Sequence, residues 1–253
     1  MWRAVIYCLA LTPLALAMEE TDPELAGGYF QGDMLLTVHQ RTNSDKPIDL
    51  WPHNTVYFRL SDDIEHDQLD YIYKAMTIIE DNSCIHFQEA SASQPYYVNI
   101  STDQSFCYSS VGFIGDVQQL NLESSPLGTR CFRLGTVLHE MLHTLGFNHE
   151  HSAHNRDEFI ELINENIQPD ATDNFEKAPK GKEHKYSDVY DYNSVMHYRH
   201  TAFGKFADAI TIVPVQPGAD DMGQREKMSA IDILKLNALY GCPLDEISSE
   251  SKL

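Results

Sequence analysis

An α+β domain is the fold class predicted by three observations. Strand-like and helix-like segments come together early while helical periodicity dominates late; nothing after residue 50 has the composition of an internal linker; and 253 residues, 42% of them hydrophobic, suffice for one domain with a buried core. At the amino terminus, Met1-Trp2-Arg3 gives a positive start, Ala4 to Leu14 is apolar apart from Thr12 and Pro13, and Ala15-Leu16-Ala17 is an A-x-A cleavage site. Residues 1–17 therefore read as a signal peptide. The apolar run is shorter than the roughly 20 residues of a spanning helix and no later stretch reaches that length, which predicts a secreted chain with no membrane partner. Residues 18–46 are polar, with Glu19, Glu20, Asp22, Glu24, Gly27 and Gly28, and read as a linker or pro-segment.

The folded part follows. Thr55 to Leu60 has strand character, and Leu69, Ile72, Met76 and Ile79 recur at helical spacing between about 66 and 81. Tyr97 to Ile100 and Gln119 to Leu122 are further strands, and Leu134 to Leu145 is a helix with a broad apolar face that stops at Gly146. Glu161 to Val189 is polar, holds Pro169, Pro179 and Gly181, and reads as irregular surface. A last helix begins after Ser229, whose hydroxyl caps it with Asp232 three residues on, and ends at Gly241.

A formal charge of -20 repels nucleic acid and anionic membranes, so neither is an expected partner. Of five cysteines, Cys8 leaves with the signal; Cys84, Cys107, Cys131 and Cys242 suggest two disulfides, among three pairings that spacing does not resolve. None forms a C-x-x-C pair, which argues against a cysteine zinc site.

The sharpest feature is His139-Glu140-Met141-Leu142-His143, continuing to Gly146 and His149. Residues four apart share a helix face, so His139 and His143 can meet one zinc ion with Glu140 beside it. Gly146 lets the backbone leave the helix sharply, and His149 returns as a third ligand, leaving the fourth position for water, as a catalytic zinc site requires. This extended pattern, with a downstream methionine turn at Ser194-Val195-Met196-His197-Tyr198, is the metzincin signature.

Together with Glu150, these residues resemble the astacin family of secreted zinc endopeptidases, and the likeness runs from about residue 30: Trp51-Pro52-x-Asn54-Thr55-Val56, Asn82-Ser83-Cys84-Ile85-x-Phe87 and Leu239-Tyr240-Gly241-Cys242 also match. The resemblance implies a two-lobed, metzincin-like domain: a twisted, mostly parallel sheet with an antiparallel edge strand near Gln119 to Leu122, helices, and a cleft between the lobes. It implies the pairs Cys84 with Cys242 and Cys107 with Cys131. Phe30-Gln31-Gly32-Asp33 is similar to the family's pro-motif, whose aspartate takes the metal position in the latent enzyme, so the division becomes 1–17 signal, 18–41 pro-segment, and 42–253 catalytic domain. An activating protease would cut near Arg41. Glu150 would contact the new amino terminus, Tyr198 would be a displaceable zinc ligand and oxyanion partner, and Met196 would be an apolar floor below the zinc. His86, His151, His154, His184, His197 and His200 are given surface or structural roles. The family usually has an arginine and an aspartate where this chain has Ala153 and Asn155, which puts packing around the third ligand in question; Arg156 and Asp157 remain.

The expected function is cleavage of internal peptide bonds in protein or peptide substrates, with one zinc ion and Glu140 as general base. The alternative is a catalytically inactive secreted module that keeps zinc for structure; retention of Glu140, which is not a ligand, argues against it. Asn99-Ile100-Ser101 is a glycosylation sequon usable on secretion. Residues 1–41 hold five acids and two bases, so the remainder still has 33 acids against 16 bases; a cleft favouring basic stretches is the expectation from net charge.

Overall fold

The computed structural model describes residues 22–42, 48–178, 186 and 188–243; the signal peptide reading and His184 lie outside them. Six strands form the main sheet: β1 (Met34–Leu35), β2 (Thr55–Leu60), β3 (His86–Glu89), β4 (Tyr97–Ser101), β5 (Cys107–Ser110) and β6 (Val117–Leu122), in the order β1-β5-β6-β4-β2-β3. The β2/β3, β2/β4 and β4/β6 pairs are parallel, whereas β5 runs antiparallel to β6. Alternation along β2 and β4 sends Val56, Phe58, Val98 and Ile100 to one face. That face is covered by α2 (His66–Asp81), through Gln68, Ile72, Ala75, Met76 and Ile79, and by α3 (Leu134–Thr144). Residues Gly135 to Thr144 of α3 are buried all round, which explains why its apolar face reads so broad in the sequence.

A second, smaller cluster lies under β7 (Ile160–Leu162) and β8 (Ile212–Pro214), an antiparallel pair, and contains Ile160, Ile167, Ala171, Phe175, Tyr190, Tyr192, Tyr198 and Ile212. The segment after Glu161 is thus not merely surface. Ile167, Ala171 and Phe175 are four apart, but Pro169 interrupts them and the chain turns through short 3-10 segments, so three core residues sit in a polar background. The last helix, α4 (Ala230–Tyr240), starts where Ser229 Oγ accepts from the N–H groups of Ile231 and Asp232, and stops at Gly241 with φ 66°.

Two expectations need correction. Gln119 to Leu122 is not an edge: β6 lies between β4 and β5, because the short, serine-containing β5, whose four residues are all buried, adds outside it. Nor is the region before residue 42 a loose linker. Its Met34–Leu35 strand pairs parallel with β5, and Glu24, Gln31, Asp33 and Met34 are buried. One turn of helix, α1 (Val38–Thr42), follows and leaves Arg41 exposed. Disulfides join Cys84 to Cys242 and Cys107 to Cys131. No described helix is long and apolar enough to cross a membrane.

Candidate metal centre

Helical spacing on α3 brings the His139 and His143 rings to 4.6 Å between centroids. Gly146, at φ 100°, turns the chain where a side chain would be strained, and His149 returns with its ring 4.7 Å from that of His143. His139 Nδ1 donates to Val195 O and His143 Nδ1 to Phe147 O, both at 2.8 Å. With the ring proton on Nδ1, each Nε2 presents a lone pair, and these two Nε2 atoms are 3.1 Å apart. Facing lone pairs repel unless a cation lies between them.

Asp33 supplies the fourth side. Its carboxylate lies 3.2 Å from His139 Nε2, 3.4 Å from His143 Nε2 and 3.3 Å from His149 Nε2. All four groups are buried, one ligand atom of each lies within 4.8 Å of the others, and Asp33 Oδ1 and His149 Nε2 have no hydrogen-bond partner. Three neutral imidazoles and a carboxylate converging on one point are a zinc donor set. Burial outweighs the Asp33 charge at His149 and lowers it to about 4, keeping the ring in its metal-binding form at neutral pH.

Glu140 is fully buried beside this centre with neither oxygen partnered; burial and then Asp33 push its carboxyl well above the usual range. Tyr198 donates its hydroxyl to Gln31 O at 2.5 Å, and its ring stacks on His151 at 3.7 Å. Gln31 also reaches His149 Nδ1, at 3.0 Å through its side chain. Between Gln31 and Asp33, Gly32 has φ 92°, and a Cβ there would meet Glu24 O at 2.6 Å, so the motif needs glycine twice over. Met196 is buried in the main core cluster. Glu150 accepts from Lys235 Nζ at 2.7 Å. Asn99 stands half-buried on β4 with its amide on Gln119. Of the other histidines, His151 and His197 are buried, donating or accepting within the second cluster's surroundings, while His86 is exposed. Near the Ala153 and Asn155 departures, Arg156 is buried and donates to Phe175 O and His151 O, which ties the chain after His149 to the second cluster.

One group of residues escaped the sequence reading. Arg225 Nε lies 2.6 Å from Glu24 Oε2, Thr136 donates to Glu24 Oε1 at 2.6 Å, and Arg133 lies 3.6 Å from both Glu24 and Asp22. Arg199 adds a third guanidinium 3.6 Å from Asp22. Burial would raise Glu24, but Arg225 leads the charges that hold it at about 2. These arginines come from three distant points of the chain, and no local spacing marks them.

Fold and donor set together define a zinc protease domain whose three metal-site histidines are covered by a preceding segment of the same chain. Residues 43–241 match the model of the Astacin peptidase family. Seminal metalloprotease 1 of Drosophila melanogaster is 38% identical over 237 residues, covering 92% of this chain and 94% of that protein. Low choriolytic enzyme of Oryzias latipes is 37% identical over 198 residues, 76% of this chain and 69% of that protein. Among solved structures, high choriolytic enzyme 1, a hatching enzyme zinc-protease from Oryzias latipes, superposes with a TM-score of 0.68 at 28% identity over 79% of this chain and 97% of that one. The chain belongs to the astacin family and is a zinc metalloendopeptidase.

Proposed function

We propose that the protein is a secreted endopeptidase made as a latent proenzyme. His139, His143 and His149 hold one zinc ion, and Asp33 takes the position needed by water until an external protease cuts near the exposed Arg41. The convergence of the three Nε2 atoms on Asp33 carries this reading. When bound, zinc polarises a water molecule and the scissile carbonyl. Glu140 takes the proton from the attacking water and passes it to the leaving amine. Tyr198, released by the departure of Gln31, turns its hydroxyl to the developing oxyanion. With β1 gone, the outer edge of β5 is free for an extended peptide to pair with, and backbone pairing admits many sequences. The region vacated by Asp22 and Glu24 exposes Arg133, Arg199 and Arg225, so an acidic substrate side chain is favoured there, against the expectation from net charge. Asn99 carries a glycan in the secreted form.

The test is cleavage of a denatured protein by Arg41-cut material with and without a chelator. Chelator-sensitive cleavage supports the reading; its absence sinks it. An inactive zinc-holding module would behave alike with Glu140 or Glu140→Ala.

A further inference from the structure

The carboxyl ends of two helices meet at the Cys84–Cys242 disulfide. Helix α2 ends at Asp81 and α4 at Tyr240, and neither has a basic side chain in its last turn to offset the partial negative charge of the helix end. Beside the disulfide lies a cavity of about 120 Å³ lined by Glu80, Asp81, Ser83 and Asn237, none of which belongs to the metal centre. Among the described residues no Lys, Arg or His lines it.

The polar groups around this cavity are acceptors. Asn237, 1% exposed, donates its amide protons to Asn82 O at 2.7 Å and Ile233 O at 2.8 Å. Those two bonds fix the amide against flipping, and its Oδ1 is left buried without a hydrogen-bond partner. Ser83 donates its hydroxyl to Ile79 O at 2.7 Å, so its oxygen too can only accept. Glu80 and Asp81 add two carboxylates, the first held by the Phe87 N–H at 2.7 Å. Water could satisfy Asn237 but would leave both carboxylates and both helix ends without a counter-charge. A cation satisfies all of them.

The donor set also selects the cation. Both sulfurs are joined to each other, so neither thiolate nor imidazole is on offer to a softer metal. Carboxylate, amide and hydroxyl oxygens in a cavity with room for several waters suit calcium, which accepts irregular geometry, better than magnesium, which demands a near-ideal octahedron. We propose that the cavity binds one calcium ion through Asn237 Oδ1 and the carboxylates of Glu80 and Asp81, with water completing the shell, and that the ion clamps α2 to α4 at the disulfide. Few protein ligands place its dissociation constant at about 10⁻⁴–10⁻³ M, the range of extracellular modules. The inference goes beyond the endopeptidase reading and does not depend on it.

The test is thermal unfolding of the intact, zinc-loaded chain titrated with calcium chloride, with sodium chloride of equal ionic strength as the control. Calcium at about 10 mM is expected to raise Tm by about 3–10 °C in a saturable manner. The double variant Glu80→Gln and Asp81→Asn, and separately Asn237→Ala, should lose most of that rise. No rise with calcium overturns the proposal and leaves the cavity to water. A rise that sodium chloride reproduces, or one of equal size in the double variant, overturns it as well. If Asn237→Ala does not fold, the double variant decides. Neither zinc chemistry nor cleavage enters the readout, so failure of the endopeptidase reading would leave this result standing.

Discussion

His143 and His149 bring the same group to the same centre, but different parts of the chain hold them. The outer nitrogen of His143 rests on Phe147 O, a backbone atom of the catalytic domain; that of His149 rests on the side chain of Gln31, in the segment proposed to be removed. The first support is permanent and the second is disposable. On the proposed reading, latency is more than a plug at the metal position: the same three residues, Gln31 to Asp33, cover the centre, take the Tyr198 hydroxyl and hold the third histidine. Removal of the segment, as proposed, would take this side-chain support from His149.

Substitutions on the permanent side should have the largest effect. Glu140→Gln is expected to lower kcat of the cut enzyme by about 10²–10⁴-fold with zinc retained, measured by steady-state cleavage and metal analysis; unchanged kcat would remove Glu140 from the mechanism. On the disposable side, Glu24→Gln leaves Arg225 buried without its partner at a cost of about 3–5 kcal/mol, so a peptide spanning 22–37 should inhibit the cut enzyme far more weakly with this change. Equal inhibition constants would show that the arginine pocket does not anchor the segment. Acid gives a graded version of the same test. Docking holds Glu24 at about 2 against an ordinary 4.5, so its contribution is whole above pH 4.5 and fades as pH falls toward 2. Asp22, raised by burial and then by the Glu24 charge, opposes this, so the comparison of the native peptide with Glu24→Gln isolates Glu24. Inhibition by the peptide should therefore weaken over that window, and more for the native sequence than for Glu24→Gln. The smallest effect is expected from Gln31→Ala, which removes the His149 contact of about 1 kcal/mol but leaves the backbone oxygen on Tyr198, raising the peptide's inhibition constant about fivefold.

The same division explains what the sequence made legible. His139, Glu140, His143, Gly146 and His149 lie within one turn and one bend of each other, so their geometry follows from helical spacing and a glycine. The Ser229 cap with Asp232 and the Gly241 stop were readable for the same reason. Contacts between distant segments were not. Glu24 with Arg225, Glu150 with Lys235, and Gln31 with His149 are separated by 201, 85 and 118 residues, and none leaves a local signature. Strand β5 escaped because four residues with two serines carry neither alternation nor apolar excess, although burial covers all of them. Ile167, Ala171 and Phe175 escaped because, although four apart, they flank Pro169 in a polar stretch that folds as short 3-10 turns and not as a helix.

Comparing intact and Arg41-cut protein on one denatured substrate tests the central claim most directly. The account predicts that the intact chain is inert and that the cut chain cleaves, with cleavage abolished by a chelator and restored by zinc. An intact chain that cleaves as fast as the cut one would contradict it.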